Sequence, residues 1–425
     1  MGREAAAAGR RVTGPQAFLL AGSFLITLGS FAVLPYMSVL LHQRLGLGLG
    51  TVGFVLAVAS LVQFSGGAAA GAVAGRIGLR ATMLVALALR TAGFAAFLPG
   101  MRSPVAAVGA LLLVSCGAAL YLPANKAYLV EGATEADRPR VLSAGNSAFN
   151  AGMALGPPAA APFVLGSPAV LFACVSVLFA LVGAGHALLP QVGAGTATAP
   201  ASAGSGPSYG RGPGPSPFAA TVLGVYVFMF FQHYLALYAV PRTSAAFYGA
   251  VLMGYAALLV VVQPLLSRRI AALTYRSAMR VGFGAMAAGT AVIGFGGYVG
   301  IGAGAALMCL GEIVLFLKND LEALARSSAP PAAVFGRQRL AAGIGAFGSG
   351  VVGGQLYATA DAAGSARAFW VAVCLQAVIL PLCFLRGRVG PVPGTGPTRP
   401  VPGTVRRRRR RRPPEQPGEP VRSGQ

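Results

Sequence analysis

Residues 17–41 read AFLLAGSFLITLGSFAVLPYMSVLL, twenty-five consecutive positions without a charged side chain. A helix that crosses the hydrocarbon core of a bilayer needs about 20 apolar residues, whereas the apolar part of a cleavable leader is about 7–15. The run also lacks a clear cleavage site, so it reads as a membrane span. Similar runs recur along the chain. They place helices near 50–74, 81–100, 104–125, 141–165 and 168–190, and again near 217–240, 245–266, 278–299, 301–322, 340–362 and 365–386. Composition agrees. The 425 residues are 55% hydrophobic and 10% charged, with a mean hydropathy of +0.69. A soluble domain carries about 25% charged residues. An ordinary cytosolic enzyme and a mostly disordered chain are both excluded. The expected fold is an all-α membrane protein with twelve transmembrane helices in two pseudo-symmetric six-helix bundles.

Three stretches cannot bury a core. Residues 1–16 are a short basic segment, 191–216 a Gly/Pro/Ser/Ala linker, and 387–425 a tail rich in Arg and Pro. They leave an N-terminal bundle over 17–190 and a C-terminal bundle over 217–386. With the N-terminus inside, the cytoplasmic segments hold 26 of the 33 basic residues and the outer loops four: Arg44, Arg102, Arg242 and Arg367. That asymmetry places both termini in the cytoplasm of a multi-pass protein. The run Arg406–Arg412 belongs to the tail and suits anionic lipid headgroups. No folded nucleic-acid module accompanies it, so nucleic acid is not an expected partner.

The halves resemble each other. GAALYLPANKAYLVEGAT from Gly117 and GEIVLFLKNDLEALARSS from Gly311 lie 194 residues apart. The same offset carries Gly156-Pro157-Pro158-Ala159-Ala160 onto Gly350-Val351-Val352-Gly353-Gly354.

Short motifs sit at matching places. Gly71-Ala-Val-Ala-Gly75-Arg76-Ile-Gly78-Leu-Arg80 follows the second span. Leu28-Gly29 and Pro35 lie in the first span, and Gly152, Gly156, Pro157 and Pro158 in the fifth. These resemble the GxxxDRxGRR gate motif, the LGxxxxxP motif and the GxxxGPxxGG motif of the major facilitator superfamily, in its twelve-helix drug:proton antiporter branch. The resemblance covers about residues 17–386. It implies two six-helix halves around a central cavity, alternating access, and export of a small organic solute driven by protons. Gly75 stands where the family usually has Asp, which removes or rebuilds an ion pair of the closed gate. The fourth-helix arginine of many drug antiporters is not evident.

Ionisable groups inside spans are costly and point to function. Glu312 is the candidate proton-coupling residue, deep in the tenth span. The only lysines, Lys126 and Lys318, fall late in the fourth and tenth spans. Lys126 could pair with Glu312 across the halves or hold an anionic group of the substrate. Both lysines equally read as charges snorkelling to the interface. Asp320, Glu322 and Glu131 read as end-of-helix charges, and Arg90 fits either a cytoplasmic contact or the cavity. Polar and aromatic cavity candidates are Tyr36, Gln63, Asn125, Tyr226, Gln232, His233 and Tyr234.

The five cysteines and three histidines are scattered, without CxxC, zinc, Walker or catalytic-triad spacing. No catalytic residue, metal or cofactor is expected, and the chain does not read as an enzyme. The expected partners are a small-molecule substrate, protons and the lipid of the plasma membrane, with the protein a monomer. A sugar or metabolite uniporter or symporter of the same fold is the alternative function. A membrane-embedded enzyme is a remoter one.

Overall fold

The computed structural model describes residues 14–100, 102–130, 138–191, 216–327 and 331–386. The expected linker over 191–216 and tail over 387–425 fall almost entirely outside these residues, as do positions 1–13 of the N-terminal segment. Among these described residues twelve helical rods follow in order. They are α1 (Gly14–Arg44), α2 (Leu49–Ser65, continuing after Gly66 as Gly67–Ile77), α3 (Leu79–Gly100), α4 (Pro104–Val130), α5 (Arg138–Val164) and α6 (Pro168–His186). Then come α7 (Pro217–Ala239), α8 (Ala245–Ala272), α9 (Tyr275–Phe295), α10 (Gly297–Ala325), α11 (Pro331–Ala362) and α12 (Ala366–Arg386).

Local chemistry sets the ends. α4, α6, α7 and α11 begin on proline, whose fixed φ and missing N–H suit a first turn. Ser244 Oγ accepts the Phe247 N–H at 3.0 Å and caps α8, and Thr274 Oγ1 accepts the Ser277 N–H at 3.2 Å and caps α9. Gly78, at φ +83°, makes the reversal from α2 into α3 that an L side chain would resist. Inside α1 the ring of Pro35 forbids one backbone bond, and the helix tightens to a 3₁₀ turn over Leu34–Tyr36.

Among the described residues nine helices are long and apolar enough to cross a bilayer, and the broken α2 makes a tenth. α5 and α11 are long but rich in Gly, Asn, Gln and Arg, which lowers their hydropathy. Several helices outrun their apolar cores, α4 among them, which reaches Val130 instead of 125. α8 reaches Ala272 instead of 266, α10 spans 297–325 instead of 301–322, and α11 starts at Pro331 instead of 340. Arg, Lys, Glu and Gln are good helix formers, so the coil does not stop where hydrophobicity does.

The packing repeats. α1 lies on α5 as α7 lies on α11. α3 lies on α4 and α6 as α9 lies on α10 and α12, and α2 meets α4 as α8 meets α10. The two principal contacts between the halves are α5 with α8 and α2 with α11, which the repeat interchanges. The main packing partners of α4 and α10 all belong to their own half. Lipid tails are as apolar as leucine, so such seams need small residues and close backbones. A Cβ on Gly152 would lie 2.5 Å from Phe24 O, and one on Gly156 would lie 2.7 Å from Leu28 O. The glycines of the fifth-helix motif are thus what lets α5 touch α1.

Candidate functional site

The end of the molecule carrying the α1–α2 and α7–α8 turns is closed between the halves. The Tyr36 hydroxyl lies 3.0 Å from Pro157 O and 3.1 Å from Ala245 O, one proton shared between α5 and α8. Tyr248 returns the contact, donating to Pro35 O at 3.2 Å. The two rings meet edge-on with centroids 5.1 Å apart. Beside them a Cβ on Gly249 would sit 2.9 Å from Pro158 Cα. The other crossing is built alike. Tyr234 donates to Gly350 O at 2.7 Å, and a Cβ on Gly53 would lie 2.5 Å from both Gly350 O and Gly354 Cα. Tyr36 and Tyr234 therefore serve equivalent helices in equivalent ways. Tyr36, first considered as a cavity residue, is fully buried in this closure.

Towards the opposite end the centre is polar. Ser60 Oγ of α2 and His233 Nε2 of α7 are 3.1 Å apart across the halves, and His233 Nδ1 is buried without a hydrogen-bond partner. In the N-terminal half Asn125 donates to Ser23 Oγ at 2.8 Å. In the C-terminal half Asn319 donates to Thr221 Oγ1 at 2.6 Å and to Pro217 O at 3.1 Å. The asparagines are 194 residues apart and tie α4 to α1 and α10 to α7, so each half carries the same lock.

Charged groups are distributed unevenly. Glu312 accepts a hydrogen bond from Tyr255, where α7, α8 and α10 meet. The Tyr255 ring stacks on Phe231 at 5.2 Å and lies 6.4 Å from Phe228, which also contacts Phe316. No basic group pairs with Glu312 among the described residues. Lys126 is exposed on α4 and makes no ion pair with it. Lys318 donates instead to Ala271 O at 2.8 Å, the last turn of α8. Tyr226 donates to Gln376 of α12 and packs edge-on against Phe230. Gln232 is half-buried next to His233.

The N-terminal half holds a cation. Arg90 is 3% exposed, donates to Ser30 Oγ, and places its guanidinium 4.7 Å above the Phe179 ring. Its Nε has no partner. Neighbouring Tyr121 donates to His186 Nε2 at 3.0 Å, because His186 Nδ1 serves Val182 O at 2.8 Å.

At the gate motif Gly71 is half-buried and Gly75 exposed with open space at its Cβ. Arg76 is exposed. Arg80 donates to Ala187 O, which ties the α2–α3 turn to the end of α6. A surface cleft between α1, α5 and α6 is lined by apolar side chains, and none of the cavity candidates lines it. Ser60, Tyr248 and Tyr255 were not singled out in the sequence. The two tyrosines lie seven residues apart on one face of α8, which is the only trace they leave there.

Residues 19–318 match the family model of the Major Facilitator Superfamily. The chain belongs to that superfamily. Among curated relatives it is 29% identical over 150 residues to YhjO of Bacillus subtilis, described as an uncharacterized MFS-type transporter, covering 35% of this chain and 36% of that one. It is 32% identical over 126 residues to multidrug resistance protein MdtH of Photorhabdus laumondii, covering 30% and 31%. The chain thus spans about a third of the length of these relatives. Solved transporters share the fold along nearly the whole body. A POT family transporter in complex with 5-aminolevulinic acid superposes with a TM-score of 0.72 at 12% identity, over 87% of this chain and 95% of that one. The nucleoside transporter NupG gives 0.65 at 15%, over 88% and 98%. Its family and its long apolar helices make it a multi-pass membrane protein.

Proposed function

We propose that this transporter exports a small drug-like organic compound or secondary metabolite across the plasma membrane, exchanging it for protons by alternating access. The termini then lie in the cytoplasm, as the arginine distribution asks. One observation carries the reading. The carboxylate of Glu312 sits in a span without a basic partner among the described residues, held by Tyr255 beside the rings of Phe231 and Phe228. An unpaired acid at such depth marks an ion pathway or a binding site. The Tyr255 hydroxyl can donate to the carboxylate and, by turning, accept from the neutral acid. Both protonation states are thus accommodated, as a carrier of protons requires. The aromatic surface around Tyr255 offers contact area to an amphipathic organic molecule. The multidrug description of MdtH agrees with this reading at the level of the matched segment. In the same scheme Gly71, Gly75, Arg76, Gly78 and Arg80 form the inner gate turn, Gly152, Gly156 and Pro157 the α1–α5 seam, and the arginine tail rests on anionic lipid. A monomer suffices, since both halves are in one chain.

The test is a panel of organic solutes offered to proteoliposomes with and without an imposed pH gradient. Intraliposomal pH is read in parallel. Glu312→Gln keeps a hydrogen-bonding group for Tyr255 but cannot exchange a proton. We expect gradient-driven transport to fall to the level seen without a gradient, with exchange down a solute gradient retained. Full gradient-driven activity in this variant would discard Glu312 as the coupling site.

A further inference from the structure

Arg90 is a cation for which the chain supplies no counter-charge. It lies in the middle of α3, only 3% exposed, where side chains of α1 and α6 meet it and α4 packs alongside. No Asp or Glu occurs in residues 14–130 or 138–191, which hold all six helices of that half. In the other half Glu312 is held by Tyr255, and Glu322 is paired with Arg326 at 2.7 Å. Among the described residues no carboxylate makes an ion pair with Arg90.

Its own contacts leave one edge of the guanidinium unserved. The flat face is covered by the Phe179 ring, 4.7 Å away. One terminal nitrogen donates to Ser30 Oγ, whose own proton goes to Ile26 O. Nε is buried and has no partner. The polar neighbours are engaged elsewhere: Tyr121 donates to His186 Nε2 at 3.0 Å, and His186 Nδ1 serves Val182 O at 2.8 Å. A guanidinium carries five N–H donors in one plane. A buried charge is stable only when paired.

Packing does not ask for this charge. Gly117 leaves room for the stem of Arg90 beside α4, and in the C-terminal half the equivalent Gly311 leaves room for Met286. An apolar side chain of similar length fills the same place in the repeat. The cation is therefore an addition to the N-terminal half that the fold itself does not require.

We propose that Arg90 holds a chloride ion inside the N-terminal half, along the guanidinium edge that carries Nε. The ion supplies the missing counter-charge, and the N–H groups bind it by charge-assisted hydrogen bonds. The slight exposure of Arg90 leaves space beside it for a monoatomic ion and not for a phosphate or a bulky organic acid. With the ion in place α1, α3, α4 and α6 enclose a neutral pair instead of a lone cation. The site is separate from Glu312 and from the solute, so this inference goes beyond the exchange of solute for protons.

The experiment follows thermal unfolding of the full chain in detergent, in potassium gluconate and in potassium chloride at equal ionic strength. At about ten times its dissociation constant, chloride should raise the melting temperature of the wild type by roughly 2–4 °C more than that of Arg90→Met. The variant keeps every other arginine, so anions on the surface act on both chains alike. Equal shifts in the two chains, or none in either, would overturn the site. A larger wild-type shift from acetate than from chloride would assign the place to a carboxylate and overturn the halide. Should Arg90→Met fail to fold, a wild-type crystal grown in bromide decides. An anomalous peak beside Arg90 Nε supports the ion, and no peak there overturns it. Neither measurement uses a solute or a pH gradient, so a failed solute screen leaves both untouched.

Discussion

Arg90 and Met286 show how much a single position can differ between two similar halves. Gly117 and Gly311 are equivalent, and each lies against the third helix of its half. A Cβ on Gly117 would meet Arg90 Cγ at 2.4 Å, and one on Gly311 would meet Met286 Cγ at 2.7 Å. Arg90 thus fills the place that Met286 fills in the C-terminal half. A buried cation without a carboxylate is costly, and one serine and one aromatic face repay only part of it. Arg90→Met should keep the fold and raise thermal stability by roughly 1–4 kcal/mol, the range for replacing buried charges by apolar residues of similar volume. Unfolding in detergent measures it. If the variant is more stable yet fails to transport, the arginine is retained for function.

At the scale of the element, glycine and proline decide which helices touch. Gly53, Gly350 and Gly354 bring α2 and α11 to backbone contact, and Gly249 does the same for α8 against Pro158. Gly53→Val inserts a branched side chain where a Cβ alone already meets Gly354 Cα at 2.5 Å. The crossing should loosen at a cost of about 1–3 kcal/mol. Because the contact belongs to the closed end, the expected consequence is opening there rather than unfolding. A cysteine at Ser38, which is buried in the closed structure, should label faster with a membrane-impermeant thiol reagent in the Gly53→Val background. An unchanged labelling rate would show that the α2–α11 contact does not hold this end shut.

On the scale of the whole molecule, the repeat predicts that the halves are separately viable in a membrane. Two chains covering 1–200 and 201–425, expressed together, should assemble and transport, since residues 191–216 supply no packing sequence. Co-purification and transport check this, and loss of assembly would mean that the linker positions the halves. Much of the architecture was legible beforehand. Spans reveal themselves because a bilayer demands about 20 apolar residues from each helix regardless of its neighbours. The repeat and the motif glycines were legible for a related reason: close backbone approach admits few residue types. The helix ends at α8, α10 and α11 were not, since charged residues continue a helix that lipid no longer requires. The pairing of side chains was hidden as well. Lys126 and Lys318 look like counterparts by type, but the 194-residue offset sets Asp320 opposite Lys126, and only the hydrogen bonds of Asn125 and Asn319 show what that register ties together. Tyr255 finds Glu312 across 57 residues and Ser60 finds His233 across 173. The sequence alone determined that this chain lives in lipid as two matched sets of helices, because solvent and periodicity act locally. Which carboxylate stands without a cation among the described residues and which tyrosines close one end were decided only by tertiary structure, because they depend on the rotation of each helix about its own axis.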